Sequence, residues 1–238
     1  MSLIEKALNR ARGIPADGGE AQRSTRRLIR RAALAAVDAP ARVFTRVALD
    51  PEAIGSTPIL SQLKDDYARR AYKVLRTRVL KRMDANGWHS LCVTSAAPSE
   101  GKSLTAINLA MALAAEAATS VFLVDLDLQR PTIARYLGLH KGPGLSNFLA
   151  GEVAVEQVVY DVAGHGRLSV VPNHQPLHES SELLRSAEMA KLVNFLESES
   201  PRRIIIYDMP PALVGDDVMA FSDSVDCTLL VVAEGKTN

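Results

Sequence analysis

Residues 91–114, LCVTSAAPSEGKSLTAINLAMALA, decide the fold class. The segment begins with a short apolar run, passes through the loop at residues 95–103 and ends in a longer apolar run. The loop matches the pattern G-x-x-x-x-G-K-[ST], with Ala96 in the first glycine position. The runs on its two sides predict a strand before the loop and a helix after it. This order is typical of a P-loop, which binds nucleotide phosphates.

The residue types in this loop fit the chemistry of phosphate binding. Successive backbone N–H groups and the positive end of the following helix hold the anion. Gly101 allows the backbone to approach closely, and we expect Lys102 to reach the β- and γ-phosphates. The hydroxyl of Ser103 is expected to ligate Mg²⁺. The loop therefore predicts a bound nucleotide together with Mg²⁺; the resemblance described below implies that the nucleotide is ATP.

The rest of the chain alternates between short apolar runs and helical patterns. Strands that are apolar throughout are buried on both faces, which is typical of parallel sheets. The prediction is an α/β fold with a doubly wound, mainly parallel sheet and a helical, basic N-terminal extension. The predicted strands are 89–94, 120–125, 167–172, 203–208 and 227–233, and the predicted helices between them are 103–117, 131–137, 146–149, 180–197 and 216–222.

Acidic residues follow two of the predicted strands. Asp125 and Asp127 end the strand at 120–125, and Asp208 ends the strand at 203–208. Because the carboxyl ends of parallel strands line the ligand crevice, we expect these carboxylates to converge on the phosphates. Asp208 is expected to act on the metal, and Asp125 or Asp127 to accept a proton from an attacking hydroxyl. A helix cap or a turn is the alternative role for each.

The charge is unevenly distributed along the chain. Residues 1–90 hold 18 Lys or Arg and 9 Asp or Glu, whereas residues 91–238 hold 10 and 18. Residues 1–12 predict a short docking helix, and residues 23–36 a basic helix that faces anionic lipid, an acidic partner or only solvent. Residues 37–61 are interpreted as an extended linker and residues 61–83 as an amphipathic helix closed by Asn86-Gly87.

Two domains follow from this organisation: a basic arm with its linker at 1–60, and a P-loop domain at 61–238. Sheets of this type normally continue after a fifth strand, so the second domain is expected to be truncated. Cys92 and Cys227 lie in apolar runs and are expected to pack as free thiols.

The core resembles the bacterial tyrosine kinases of capsule and exopolysaccharide synthesis, which are relatives of the MinD/ParA ATPases. The first eight residues, MSLIEKAL, further resemble the exosortase-associated autokinase branch. Segments G-L-S-x-F-L-x-G and S-E-L-L-x-S-x-x-M are specific to the kinases. The matching stretches are TSAAPSEGKSLTAINLA, VFLVDLDLQRP, ARYLGLHKGPGLSNFLAGE, LSVVPNHQPLHESSELLRSAEMAKL and RIIIYDMPPAL.

The resemblance implies a role for each matching residue. Catalysis falls to Lys102, Asp125 and Asp127, and metal binding to Ser103, Asp125 and Asp208, where Asp208 is the Walker B acid. The nucleotide-binding residues implied are Ala96, Ala97, Pro98, Ser99, Glu100, Gly101, Lys102, Ser103, Leu104 and Arg130.

The implied function is an ATP-dependent protein-tyrosine autokinase that regulates polysaccharide polymerisation and export. Its implied partners are a membrane polysaccharide co-polymerase, protein tyrosine substrates and further copies of itself, with no nucleic acid. Its implied location is the cytoplasmic side of the plasma membrane.

Three departures from the family keep alternatives open. Ser99 and His174 replace glycines, and Arg70 replaces the acidic member of the assembly motif E-x-x-R-x-x-R. The chain also has no tyrosine after Tyr207, where relatives carry a tyrosine cluster. A MinD-like ATPase switch without tyrosine phosphorylation is the main alternative, and a nucleotide-binding scaffold without turnover is another.

Overall fold

The computed structural model describes residues 44–55, 57–60, 65–115, 119–199 and 202–235. These residues all belong to the unit that begins at Arg42. The helices predicted over residues 1–12 and 23–36 lie outside the described residues, so they stay predictions.

A seven-stranded sheet is the centre of the fold. Its order is β1-β4-β5-β3-β6-β2-β7, and the five neighbouring strands β5, β3, β6, β2 and β7 are parallel. Strand β4 is antiparallel to β5, and β1 pairs in parallel with β4 at the edge. The strands are β1 (Thr45–Val47), β2 (Ser90–Ser95), β3 (Ser120–Asp125), β4 (Tyr160–Val162), β5 (Leu168–Val171), β6 (Arg203–Asp208) and β7 (Cys227–Val231).

The helices cover both faces of the sheet and produce two apolar clusters. One face packs against α1 to α4 and the other against α5 to α8. Every residue of β2, β5 and β6 is buried, which confirms the predicted parallel α/β sheet. The helices are α1 (Pro51–Ile54), α2 (Asp66–Asn86), α3 (Lys102–Ala114), α4 (Ile133–Leu137), α5 (Leu145–Leu149), α6 (Ser180–Leu184), α7 (Ala187–Ser198) and α8 (Asp217–Phe221).

Helix α2 begins at Asp66, later than the predicted start at residue 61, and ends at the predicted stop. The carboxylate of Asp65 accepts a hydrogen bond from Tyr67 N, and Gly87 ends the helix in the left-handed conformation with φ of 64°. The N–H of Gly87 donates to the backbone oxygens of the last turn. The predicted stop at Asn86-Gly87 is therefore confirmed.

The linker interpretation of residues 37–61 is wrong for the part of this range that the structure describes. Residues 44–60 contain β1 and α1, and the side chains of Phe44, Ile54 and Ile59 are buried in the two clusters. Pro51 and Pro58 suggested an extended chain, but Pro51 occupies the first position of α1, where a missing N–H costs nothing.

The helix predicted over residues 180–197 is two helices. Helix α6 ends at Leu184, and Ser186 Oγ accepts a hydrogen bond from Met189 N at 3.1 Å to begin α7. Serine as an N-cap offers the backbone an alternative to a continuous helix. Strand β4 was not predicted, because it has only three residues and so short a run shows no alternation of apolar and polar side chains.

The two cysteines pack as free thiols, as predicted. Cys92 belongs to the cluster on one face of the sheet, and Cys227 packs against the cluster on the other face. Burial raises the pKa of Cys92 to about 12 and that of Cys227 to about 11. Both thiols therefore remain protonated at neutral pH.

None of the helices in the described ranges has both the length and the apolar character that crossing a membrane requires.

The correction over residues 44–60 leads to a stability test. Phe44 is 8% exposed, and its ring packs edge-on against Phe122 and Phe195 at centroid distances of 6.4 and 6.1 Å. Phe44→Ala is expected to lower the free energy of unfolding by about 3 kcal/mol, measured by urea denaturation, because it leaves a cavity under the edge of the sheet.

Leu213→Ala is the matched control, because Leu213 is 82% exposed. It is expected to change the stability by less than about 0.5 kcal/mol. Equal stability of the Phe44→Ala protein and the wild type would restore the linker interpretation.

Candidate active site

The P-loop connects β2 to α3 and contains two residues with positive φ. Ser99 has φ of 63° and Gly101 has φ of 89°, a region that only glycine adopts without strain. A Cβ added to Gly101 would meet no protein atom within 4 Å. Gly101 therefore faces open space at the start of α3, as a phosphate-binding glycine should.

Two side-chain hydrogen bonds hold the part of the loop between Ser95 and Glu100. Ser95 Oγ donates to Ala97 O at 2.7 Å, and Ala97 N donates to Glu100 Oε2 at 2.9 Å. Ala97, Pro98 and Ser99 are exposed, whereas Ala96 is buried. The interior therefore accommodates the small side chain of Ala96 at the position where the pattern has glycine.

Helix α3 begins at Lys102, so the lysine and Ser103 stand in its first turn. No side chain caps this helix, because its N-cap residue is Gly101. The uncapped N-terminus leaves the positive end of the helix directed at the loop. Leu104 packs against the apolar cluster, so only its backbone can face a phosphate.

Lys102 lies at the centre of the polar groups. Its Nζ is 2.7 Å from Asp127 Oδ2, 3.6 Å from Asp208 Oδ1 and 3.0 Å from Ser103 Oγ. Burial alone would lower the pKa of Lys102, but the charges of Asp208 and Asp127 outweigh it and raise the pKa. Lys102 is therefore a charged, buried lysine held by carboxylates.

Asp208 ends β6 and is completely buried. Neither of its carboxylate oxygens has a hydrogen-bond partner, and Lys102 at 3.6 Å is its nearest cation among the described residues. Burial raises the pKa of Asp208 to about 6, although the positive charge of Lys102 opposes this shift. With only the 3.6 Å ion pair from Lys102 to Oδ1, this carboxylate has the chemistry of a group that binds a cation or a water.

Asp125 stands opposite Asp208 in the register of β3 and β6. Its Oδ2 accepts hydrogen bonds from Thr132 N and Ile133 N, both at 3.0 Å, and so caps α4. Its Oδ1 is buried without a partner. Burial and the charge of Asp208 raise the pKa of Asp125 well above its ordinary value. The capping role is thus present, and one oxygen remains for chemistry.

Asp127 is 4% exposed and follows β3 by two residues. Its Oδ2 pairs with Lys102, and its Oδ1 accepts a hydrogen bond from Arg130 N at 3.2 Å. The side chain of Arg130 is exposed and makes no contact with the other groups of the site in the described part of the chain. The structure therefore brings Lys102, Ser103, Asp125, Asp127 and Asp208 together, but not the guanidinium of Arg130.

The residues present fit a nucleotide phosphate and Mg²⁺. Among the described residues no group of three His, Cys, Asp or Glu side chains is arranged to hold a metal, because Lys102 lies between two of the carboxylates. Mg²⁺ needs only one or two carboxylates when a hydroxyl, phosphate and waters complete its shell. The unpartnered oxygens of Asp208 and the adjacent Ser103 meet that requirement.

Sequence reasoning missed the contacts that hold the site together. Thr94 Oγ1 donates to Pro210 O at 2.6 Å, and Ala212 N donates to Ser95 O at 2.7 Å. These bonds tie the P-loop strand to the segment after Asp208. No local pattern reveals them, because the partners lie more than a hundred residues apart in the chain.

The raised pKa of Asp208 predicts a dependence of stability on pH. A carboxyl group with a raised pKa binds its proton more tightly in the folded state, so its contribution favours folding at low pH. That contribution is lost as the pH rises through the range from about 4 to about 6. Asp208→Asn removes this titration. The free energy of unfolding of the variant minus that of the wild type should therefore be about 2 kcal/mol higher at about pH 7.5 than at about pH 4.5.

Urea denaturation at the two pH values measures this change, and Asp84→Asn is the control, because Asp84 is exposed. The same difference between Asp208→Asn and the wild type at both pH values would contradict the prediction.

Comparisons with known proteins agree with this geometry, although no protein-family model matches the chain. Tyrosine-protein kinase YwqD of Bacillus subtilis is 32% identical over 166 residues, which cover 70% of this chain and 68% of the relative. Putative tyrosine-protein kinase EpsB of Ralstonia solanacearum is 30% identical over 177 residues, which cover 74% of this chain. The chain spans 23% of the length of EpsB.

Solved structures give the same result. The BceF tyrosine kinase domain matches with a TM-score of 0.66 and 26% identity, covering 88% of this chain and 86% of the neighbour. MinD of Pyrococcus horikoshii, in complex with Mg-ADP, matches with a TM-score of 0.50 and 21% identity. It covers 60% of this chain and 57% of its own, and this likeness concerns the fold alone. The P-loop, the acidic strand ends and these relatives together show that the chain belongs to the bacterial tyrosine-protein kinases.

Proposed function

We propose that this chain transfers the γ-phosphoryl group of ATP to tyrosine hydroxyls in a Mg²⁺-dependent reaction. The observation that carries the proposal is the position of Lys102 in the P-loop, 2.7 Å from Asp127 and 3.0 Å from Ser103. One buried site thus offers a phosphate-binding cation, a hydroxyl ligand and a carboxylate that can take a proton. Mg²⁺ supplies neutralisation of the charge that develops on the phosphates.

Each polar group has a separate task in this proposal. The N-terminus of α3 and the backbone around Gly101 bind the phosphates, and Lys102 exchanges a carboxylate partner for a phosphate oxygen. Ser103 and Asp208 hold the metal, directly or through water. Asp208 is suited to this task because its two oxygens have no hydrogen-bond partner.

Asp127 is the better candidate for orienting the tyrosine hydroxyl and accepting its proton. It lies closer to Lys102 Nζ than Asp208 does, and its carboxylate is slightly exposed, whereas Asp125 is completely buried. One carboxylate oxygen of Asp125 already accepts hydrogen bonds from the N-terminus of α4. We therefore assign Asp125 to holding the loop after β3, while its Oδ1 has no hydrogen-bond partner.

The tyrosines in the described residues differ in their access to a neighbouring active site. Tyr67 is 81% exposed, whereas Tyr207 is completely buried and Tyr160 donates its hydroxyl hydrogen to Pro143 O. Phosphorylation in trans therefore reaches Tyr67 more easily than Tyr160 or Tyr207, and Tyr72 and Tyr136 are intermediate in exposure. Tyrosines of other proteins are the remaining acceptors in the proposal.

The proposal extends to the setting of the reaction. The resemblance to kinases of capsule and exopolysaccharide synthesis supports a role in polysaccharide polymerisation and export. We propose that a membrane polysaccharide co-polymerase activates the chain through a cytoplasmic segment, and that the chain works at the inner face of the plasma membrane. Self-association and assignment to the exosortase-associated branch remain parts of this proposal.

The direct test is incubation of the purified chain with Mg²⁺ and γ-labelled ATP, followed by separate assays for phosphotyrosine and free phosphate. Phosphotyrosine is expected, and Lys102→Met should reduce its rate at least about a hundredfold, since the phosphates lose their cation. Lys141→Met is the matched control, because Lys141 is exposed and lies outside the site. Free phosphate without phosphotyrosine would instead support the MinD-like ATPase switch.

The division of labour between the two aspartates has its own test. Asp127→Asn removes the proton acceptor and should lower the rate of phosphotyrosine formation at least about a hundredfold, with little change in ATP affinity. Asp125→Asn keeps an oxygen that can cap α4, so its rate should fall less. Equilibrium binding of a fluorescent ATP analogue separates binding from chemistry, and a larger loss for Asp125→Asn would reverse the assignment.

A further inference from the structure

Helix α2 carries a strong excess of positive charge on its exposed side. Its 21 residues contain seven Lys or Arg and two Asp, and Met83 is its one fully buried residue. Among the side chains that α2 directs away from the sheet are two large apolar ones, Tyr67 at 81% and Val74 at 52% exposure.

These side chains form one line along the helix. Tyr67, Arg70, Val74, Arg78 and Lys81 are spaced by three or four residues, so they share one face, and all five are exposed. We call them the outer stripe. With a rise of 1.5 Å per residue, the stripe extends about 21 Å. Among the residues that the structure describes, Arg70, Arg78 and Lys81 have no ion-pair partner.

We propose that the outer stripe docks onto an anionic lipid surface. Basic side chains attract anionic headgroups, and a tyrosine and a valine between them can enter the boundary between headgroups and acyl chains. The shape of the surface favours lipid over protein. Residues Lys73, Val74, Thr77 and Arg78 line only a shallow depression there. A flat, fluid bilayer needs no deep pocket, whereas protein anchors usually fill one.

Docking by this face leaves the active site accessible. Arg76 Nη1 donates to Ala112 O at 3.4 Å, so the middle of α2 lies against the last turn of α3. Lys102 is at the opposite end of α3, about 15 Å away along the helix. The outer stripe faces away from α3, so the inference requires no particular state of the site. It goes beyond the proposed kinase activity and does not depend on it.

Co-sedimentation of the full chain with lipid vesicles tests the inference. The vesicles are phosphatidylcholine alone or a mixture of phosphatidylcholine and phosphatidylglycerol. We expect binding to the anionic mixture that is lost at high salt, because the attraction is screened. The double variant Arg70→Gln/Lys81→Gln should bind roughly thirtyfold more weakly, since each basic residue near the surface contributes about 1 kcal/mol.

The matched control is Lys141→Gln/Arg167→Gln, which removes the same charge from exposed positions outside α2. Its vesicle binding should equal that of the wild type within about twofold. Equal binding by the α2 variant and the wild type would overturn the inference, and so would equal losses in both double variants.

Two further measurements keep the outcome unambiguous. Circular dichroism shows whether the α2 variant is folded, and Tyr67→Ser offers a second variant that leaves the charge unchanged and should weaken binding a few-fold. Sedimentation velocity detects the other occupant of this face. A change in oligomeric state without a change in vesicle binding would show that a second copy of the chain, not lipid, covers the stripe. Equilibrium binding of the fluorescent ATP analogue should be unchanged in the α2 variant, because neither Arg70 nor Lys81 lies in the active site, so failure of either proposal is recognised separately.

Discussion

The buried charge cluster around Lys102 is the constraint on which the rest of the structure depends. Lys102, Asp127 and Asp208 are each less than 10% exposed, so none can rely on water for solvation. Removing one member of such a cluster leaves an uncompensated charge in a medium of low dielectric constant, which costs several kcal/mol. The fold must therefore bring all three groups to one place, from the first turn of α3, the end of β6 and the loop after β3.

The register of the central strands accomplishes this delivery. Asp125 pairs with Asp208 at the carboxyl ends of β3 and β6, and β2 lies on the other side of β6. A shift of one residue in this register would exchange the faces of every side chain on a strand. Since these strands are apolar on both faces, burial alone does not forbid that shift. The long-range bonds from Thr94 to Pro210 and from Ala212 to Ser95 add the missing specification.

The central part of the fold and most of the candidate site could be predicted from local sequence. Strands β5, β3, β6, β2 and β7 were predictable because each is a continuous apolar run. Lys102 and Ser103 follow from the spacing of the P-loop pattern, and the aspartates from their positions at the strand ends. Strands β1 and β4 were not predictable, since three-residue strands have no measurable period and are defined by their pairing, β1 with β4 and β4 also with β5. The cap that Asp125 provides for α4 was foreseen only as an alternative, because a strand-end aspartate looks the same whether it binds a backbone or a metal.

Basic residues have opposite roles at the two ends of α3. Lys102 is buried and held by carboxylates, whereas the exposed basic residues of α2, near the last turn of α3, face solvent. The turn of α3 that Arg76 contacts lies about 15 Å along α3 from Lys102, which exceeds the screening length of about 8 Å at physiological ionic strength. Charges on the surface of α2 therefore act on the pKa values of the site only weakly. A different charge on α2 therefore leaves the electrostatic balance around Lys102 and Asp208 undisturbed. Arg70, which stands where the family motif has an acidic residue, is such a change of charge.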